Sequence, residues 1–124
     1  MFFKRRAGVR WYDRGNLFSA DFSIGDFITD GTWRDLDISS IVGAGERLVL
    51  MSGRLADNAG NKTMTLRTKG NTFAKNVDIA CTQVADRLYT HSFWVYTNVD
   101  GVIQYNIDIA TWSEIGLTIR GYFK

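Results

Sequence analysis

The chain has no proline, a single cysteine (Cys81), a single histidine (His91), and no apolar run approaching the roughly 18 residues that a membrane-spanning helix requires. Each shortage excludes something. One cysteine closes no intrachain disulfide, so nothing in the sequence demands an oxidising compartment. One histidine and one cysteine, without clustered carboxylates, build no complete zinc or calcium shell, and the expectation is a protein with no metal and no cofactor. Without proline, the turns fall to twelve glycines. No segment sustains a helical period. The start, Met1-Phe2-Phe3-Lys4-Arg5-Arg6, puts charge where a secretory signal would put its apolar stretch, which reads as a soluble product made in a cytosol, with no membrane partner.

What is present is a globular composition: 45% apolar and 14% aromatic over 124 residues, enough for one packed domain and too apolar for a disordered chain. The dominant pattern is alternation. Ile103, Tyr105, Ile107 and Ile109 face one way against Gln104, Asn106 and Asp108; Ile115, Leu117, Ile119 and Phe123 then repeat it against Thr118, Arg120 and Tyr122. Period-2 runs of β-branched and aromatic residues are strands with one buried face. Asn98-Val99-Asp100-Gly101 precedes them as a tight turn, so the segments from Arg87 to Lys124 are expected to form a three-stranded meander.

Earlier segments alternate in the same way. Leu17 to Thr29 reads as a strand with Phe18, Ala20, Phe22 and Ile24 in one phase, broken at Gly25-Asp26. Leu36 and Ile38 point inward against Trp33, Asp35 and Asp37, and Met64 and Leu66 point inward between Thr63 and Lys69. Asp57 to Asn61 is a polar turn. In the later strand from Asn76 to Val84, Cys81 shares a phase with Val77 and Ile79 and is expected to be a buried thiol. About eight short strands at regular spacing predict an all-β fold, an antiparallel β-sandwich of jelly-roll type, over residues 17–124.

Two strands are apolar in both phases. Leu48-Val49-Leu50-Met51 is one; the other carries Phe93 and Val95 opposite Trp94 and Tyr96. A sandwich layer buries one face only, so the second face, with Leu48, Leu50, Trp94 and Tyr96, is a candidate subunit interface.

Residues 1–16 form a basic aromatic arm. Lys4, Arg5, Arg6, Arg10 and Arg14 stand against Asp13, an excess of 5 − 1 = +4, while the other 108 residues carry 10 − 12 = −2. Phe2, Phe3, Trp11 and Tyr12 lie among the charges, so the arm is expected to dock on a partner surface. Nucleic acid is the weakest reading of that arm, because the body is acidic and shows no aromatic-basic sheet signature.

Catalytic signals are sparse. Asp35 and Asp37 stand about 7 Å apart on a strand, a spacing a glycosidase pair could use, but no catalytic signature surrounds them and they read as solvated strand residues. Gly43-Ala44-Gly45 opens no helix and so cradles no phosphate. His91, alone on a mainly apolar face, reads as structural. The expectation is a protein that is not an enzyme. Trp33 and Trp112 remain as candidate platforms for stacking a sugar, with capping of the sandwich as the competing role.

The run Trp33 to Gly45, with Arg67-Thr68-Lys69-Gly70-Asn71, Thr82-Gln83-Val84-Ala85, Ala110 to Ile115, and Arg120-Gly121-Tyr122-Phe123, resembles a β-sandwich domain of tailed-bacteriophage virion proteins, of the head-fibre, decoration and tail-fibre type. The resemblance spans about Trp33 to Phe123. It implies a non-enzymatic virion component, made in the host cytoplasm, that forms a homotrimer and contacts a capsid or other virion protein. The arm ahead of the sandwich, starting at its own Met1, favours a capsid decoration protein or short head fibre anchored through that arm. The alternative is a carbohydrate- or receptor-binding module at a fibre tip, with a host-surface glycan as its partner.

Overall fold

A computed structural model describes residues 8–72 and 77–124. Its strands are β1 (Trp11–Asp13), β2 (Phe22–Ser23), β3 (Arg34–Asp37), β4 (Leu48–Asp57), β5 (Thr63–Thr68), β6 (Asp78–Cys81), β7 (Tyr89–Tyr96), β8 (Val102–Ile107) and β9 (Trp112–Phe123), with one helical turn, α1 (Ser39–Val42). One antiparallel sheet runs β1-β9-β4-β7, with β2 also on β9; the other runs β3-β8-β5-β6. From β3 onward the chain changes sheet at every connection except β5 to β6. That is the double Greek-key wiring of a jelly roll, and the fold is the β-sandwich that the alternation predicts.

The meander is not formed. β7 pairs with β4, β8 lies in the opposite sheet, and β9 returns to the first. The turn before β8 is nonetheless tight: Asn98 accepts the amide of Gly101 on its carbonyl oxygen and that of Val102 on its side chain, both at 3.0 Å, with Gly101 at φ 79°. Its chemistry bends the chain, but the strands it joins belong to two layers. Alternation specifies which face of a strand is buried and leaves open which sheet the strand enters.

The core lies between the sheets. Val49, Met51, Leu55, Phe93, Ile115, Leu117 and Ile119 descend from the first sheet onto Leu36, Met64, Leu66, Ile103, Tyr105 and Ile107 of the second, all of them buried. Ile109, expected beside them, is exposed because β8 stops at Ile107.

Three other expectations are corrected. Between Leu17 and Thr29 only Phe22 and Ser23 pair, opposite Leu117 and Gly116 of β9; a 3-10 turn at Ile24–Asp26 follows, fastened by the Ser23 amide donating to Asp26 at 2.8 Å. Phe18 and Ile24 are exposed there, while Phe27 turns in to meet Tyr105 edge-on at 5.0 Å. On β6 the phase is the reverse of the one expected: Ala80 is buried, Ile79 is exposed and the Cys81 thiol is half-exposed. Helix α1 leaves no helical period in the sequence, because its four residues make only one turn. It forms where the Asp37 carboxylate accepts the Ser39 amide at 2.9 Å, and it ends at Gly43 with φ 83°.

Candidate functional site

Among the described residues, the outer face of the β1-β9-β4-β7 sheet gathers several large apolar side chains. On β4, Val49 and Met51 point into the core, so Leu48 and Leu50 point out; across the register Leu48 faces Tyr96 and Phe123, and Leu50 faces Trp94 and Gly121. All four residues of the expected interface are thus neighbours on one face. Trp94 is 46% and Tyr96 57% exposed, with the two leucines half-buried between the strands.

Two further rings join them through a bulge. The pairing of β9 with β4 shifts between Leu50 and Met51, whose partners are Gly121 and Ile119, and the inserted residue is Arg120. One extra residue reverses the phase of everything after it. Phe123, expected inward with Ile119, therefore stands on the outer face, and Tyr122 packs toward the core instead. Trp11 of β1 lies opposite Phe123 with ring centroids 5.0 Å apart, and its indole lies over Gly121 to come within 6.3 Å of the Trp94 ring. Trp94 in turn stacks on Phe123 at 6.5 Å. A Cβ on Gly121 would sit 2.2 Å from the Trp11 ring, so the glycine is what lets the indole lie flat across the sheet.

The segment expected as an arm divides. Phe2, Phe3, Lys4, Arg5 and Arg6 lie outside the described residues. Arg10 exchanges backbone hydrogen bonds with Lys124, both 3.0 Å, and Trp11 to Asp13 form the edge strand β1. Tyr12 stacks on Tyr122 at 5.5 Å, with the Arg10 guanidinium 5.6 Å and the Lys124 ammonium 6.0 Å from its ring. The sandwich therefore begins before residue 17.

Of the two candidate sugar platforms, Trp112 offers no face. It is 8% exposed and packs in the core, and its indole N–H donates to the Asp108 carbonyl at 2.9 Å. Trp33 lies at the outer side of the second sheet, with the Arg67 guanidinium 3.8 Å from its ring centroid. Beside it runs a strip of bonded side chains: Arg67 donates to Gln104, Gln104 donates to Asp35, both at 2.9 Å, and Lys69 donates to Asp35 at 2.5 Å. The hydrogen bond from the Lys69 ammonium, then that from Gln104, hold the Asp35 carboxyl below its usual range. Asp37 is held low by its hydrogen bonds from Ser39. Both carboxylates of the glycosidase-like pair thus have structural partners.

His91 bonds through Nε2 to Asp78 at 2.9 Å and meets Phe93 edge-on at 4.6 Å, while Asp78 also accepts the Trp94 amide at 2.9 Å. That carboxylate joins β6 to β7 across the gap between the sheets. Among the described residues no three His, Cys, Asp or Glu side chains converge. The fold and this face define an all-β jelly-roll domain with an exposed aromatic patch. Comparison with protein-family models, curated proteins and solved structures found no match.

Proposed function

We propose that the protein is a non-enzymatic structural component of a bacteriophage virion, a capsid decoration protein or short head fibre, that assembles as a homotrimer through the outer face of the β1-β9-β4-β7 sheet. The observation that carries this reading is the patch of Leu48, Leu50, Trp94, Tyr96, Trp11 and Phe123. A contiguous aromatic surface on a small domain is a site of association, and aromatics enriched at the centre of a patch are the mark of one. The jelly roll, a fold used by viral coat and lectin domains, supports it by analogy, and the resemblance carried by Trp33 to Phe123 supplies the virion. Attachment to the particle is assigned to the basic N-terminal arm.

The test is copurification. The protein should band with intact particles through a density gradient, and replacing Lys4, Arg5, Arg6 and Arg10 with neutral residues should weaken attachment most at low salt, where exposed charge is least screened. Recovery only among free proteins would contradict the reading. The fibre-tip alternative rests on Trp33 with the Arg67-Gln104-Asp35 strip beside it. It predicts glycan-array binding that is lost in Trp33→Ala, and a blank array removes it.

A further inference from the structure

Phe18 is entirely exposed, at 103% of its reference area, yet the loop that carries it is fastened at both ends. At one end Gly15 donates its amide to Asp13 at 2.9 Å. At the other, Asp21 accepts the Arg14 guanidinium at 2.6 Å and the Ile119 amide at 2.8 Å, which ties the loop to β9. A ring on a loop so rooted is presented to the solvent in a restricted place, which lowers the entropy lost when a partner binds it. Leu17, Ala20 and Ile24 line the surface beside it, and the Arg54–Glu114 ion pair, 3.0 Å long, forms its charged edge.

At the far end of the same sheet, Val9, Leu48, Tyr96 and Phe123, with Glu46 and Lys124, line a mainly apolar cleft of about 200 Å³. A cavity of roughly 150 Å³ accepts a benzene molecule, so this cleft has the volume for a phenyl ring. Phe18 of the same chain cannot reach it, because the run of β4 from Leu48 to Arg54 alone separates the two ends by roughly 20 Å. A second copy can. Around the cleft Arg10 and Lys124 outnumber Glu46, whereas near Phe18 the Arg54–Glu114 and Arg14–Asp21 pairs cancel and leave Asp26 beside Ser23, so the two ends differ in the sign of their net charge and attract each other.

We propose that copies of this chain associate head to tail, the Phe18 ring of one seated in the cleft between Leu48, Tyr96 and Phe123 of the next. The inference rests on the self-association reading above and deepens it. A contact between two different patches is heterologous, and such contacts close into rings when the rotation allows it. Burying a phenylalanine side chain stabilises by about 2 kcal/mol, so loss of the ring weakens each contact on the order of 30-fold.

The experiment is the solution mass of the full chain, of Phe18→Ser and of Tyr96→Lys, alone and mixed, with thermal unfolding as the check on folding. Both substituted residues are exposed in the single chain, so the melting of the monomeric variants should match that of the dissociated wild type. Each variant alone should be monomeric where the wild type assembles. Mixed in equal amounts, they retain one intact contact, the Phe18 of Tyr96→Lys in the cleft of Phe18→Ser, and should form a two-chain species that grows no further. A lone contact is weaker than a closed ring, so the mixture is followed to a hundred-fold above the concentration of half-assembly. No pairing by then overturns the head-to-tail contact, as does a Phe18→Ser chain of wild-type mass, and in both cases self-association stands. A wild type that is monomeric throughout removes self-association and this inference together.

Discussion

Gly121 decides whether Trp11 joins the aromatic patch. The Trp11 indole lies where a side chain at 121 would be, so Gly121→Ala must lift the ring off β9 and away from Trp94. Overpacking of this kind typically costs 1 to 3 kcal/mol. The expected outcome is a fall in unfolding free energy of about 2 kcal/mol with a change in tryptophan fluorescence; unchanged emission would show that the ring does not lie there. Asp57 is the second decisive residue. Burial raises its carboxyl, but hydrogen bonds from the Thr82 hydroxyl at 2.6 Å and the amides of Ala59 and Gly60 at 2.8 and 2.6 Å, with the Lys62 charge, outweigh burial and hold it below its ordinary value. Asp57→Ala strands those donors and should cost about 2 to 3 kcal/mol. Because the folded value is depressed, the stability it supplies is full above the unfolded value of about 3.9 and is lost as pH falls through the folded one. Denaturant titrations of Asp57→Asn below pH 4 should therefore show a shallower loss of stability with acid than the wild type, and an equal slope would contradict this assignment.

β9 is the element on which the expected and observed structures both agree and part. Its alternation placed Ile115, Leu117 and Ile119 inward correctly, since a strand buried on one face exposes its period directly in the residue types. The bulge at Arg120 is not legible in the sequence, because an inserted residue has no composition of its own, and strict alternation puts Tyr122 and Phe123 beyond it on the wrong faces. β6 shows the same weakness in a shorter run: four residues hold too little alternation to choose between Ala80 and Cys81. β1 looks like arm in the sequence because it lies within a stretch of +4 excess charge and spans only three residues, too few to show alternation. Its place in the sheet comes from pairing with Phe123, Tyr122 and Gly121, distant in sequence. Deleting residues 1–16 would remove that strand, the Trp11 packing and the Arg14–Asp21 pair. Such a chain should lose at least about 2 to 3 kcal/mol of stability from the tryptophan burial alone, read as a lowered melting point. An unchanged midpoint would mean that β1 is only appended. Attachment to a particle is accordingly tested by charge neutralisation, which leaves the strand in place.

For the whole molecule, the doubly apolar strands were the informative signal. Two runs with no wet phase implied a covered second face, and the fold sets those faces side by side, Leu48 against Tyr96 and Leu50 against Trp94. The sequence could not show that Trp11 and Phe123 complete the patch, since one depends on long-range pairing and the other on the bulge. Nor could it show that Phe18 stands free, because its apolar alternation with Ala20 and Phe22 imitates a buried strand. In the proposed assembly this face is covered by other copies of the chain. Trp94 and Tyr96, each about half exposed, leave on the order of 100 Å² of ring surface apiece, the apolar centre of a contact whose remainder is polar rim. Sedimentation equilibrium of the full chain at micromolar concentration tests this most directly. The predicted result is a species of three chains that dissociates when Tyr96 is replaced by lysine; a single 14.0 kDa species at every concentration would contradict it.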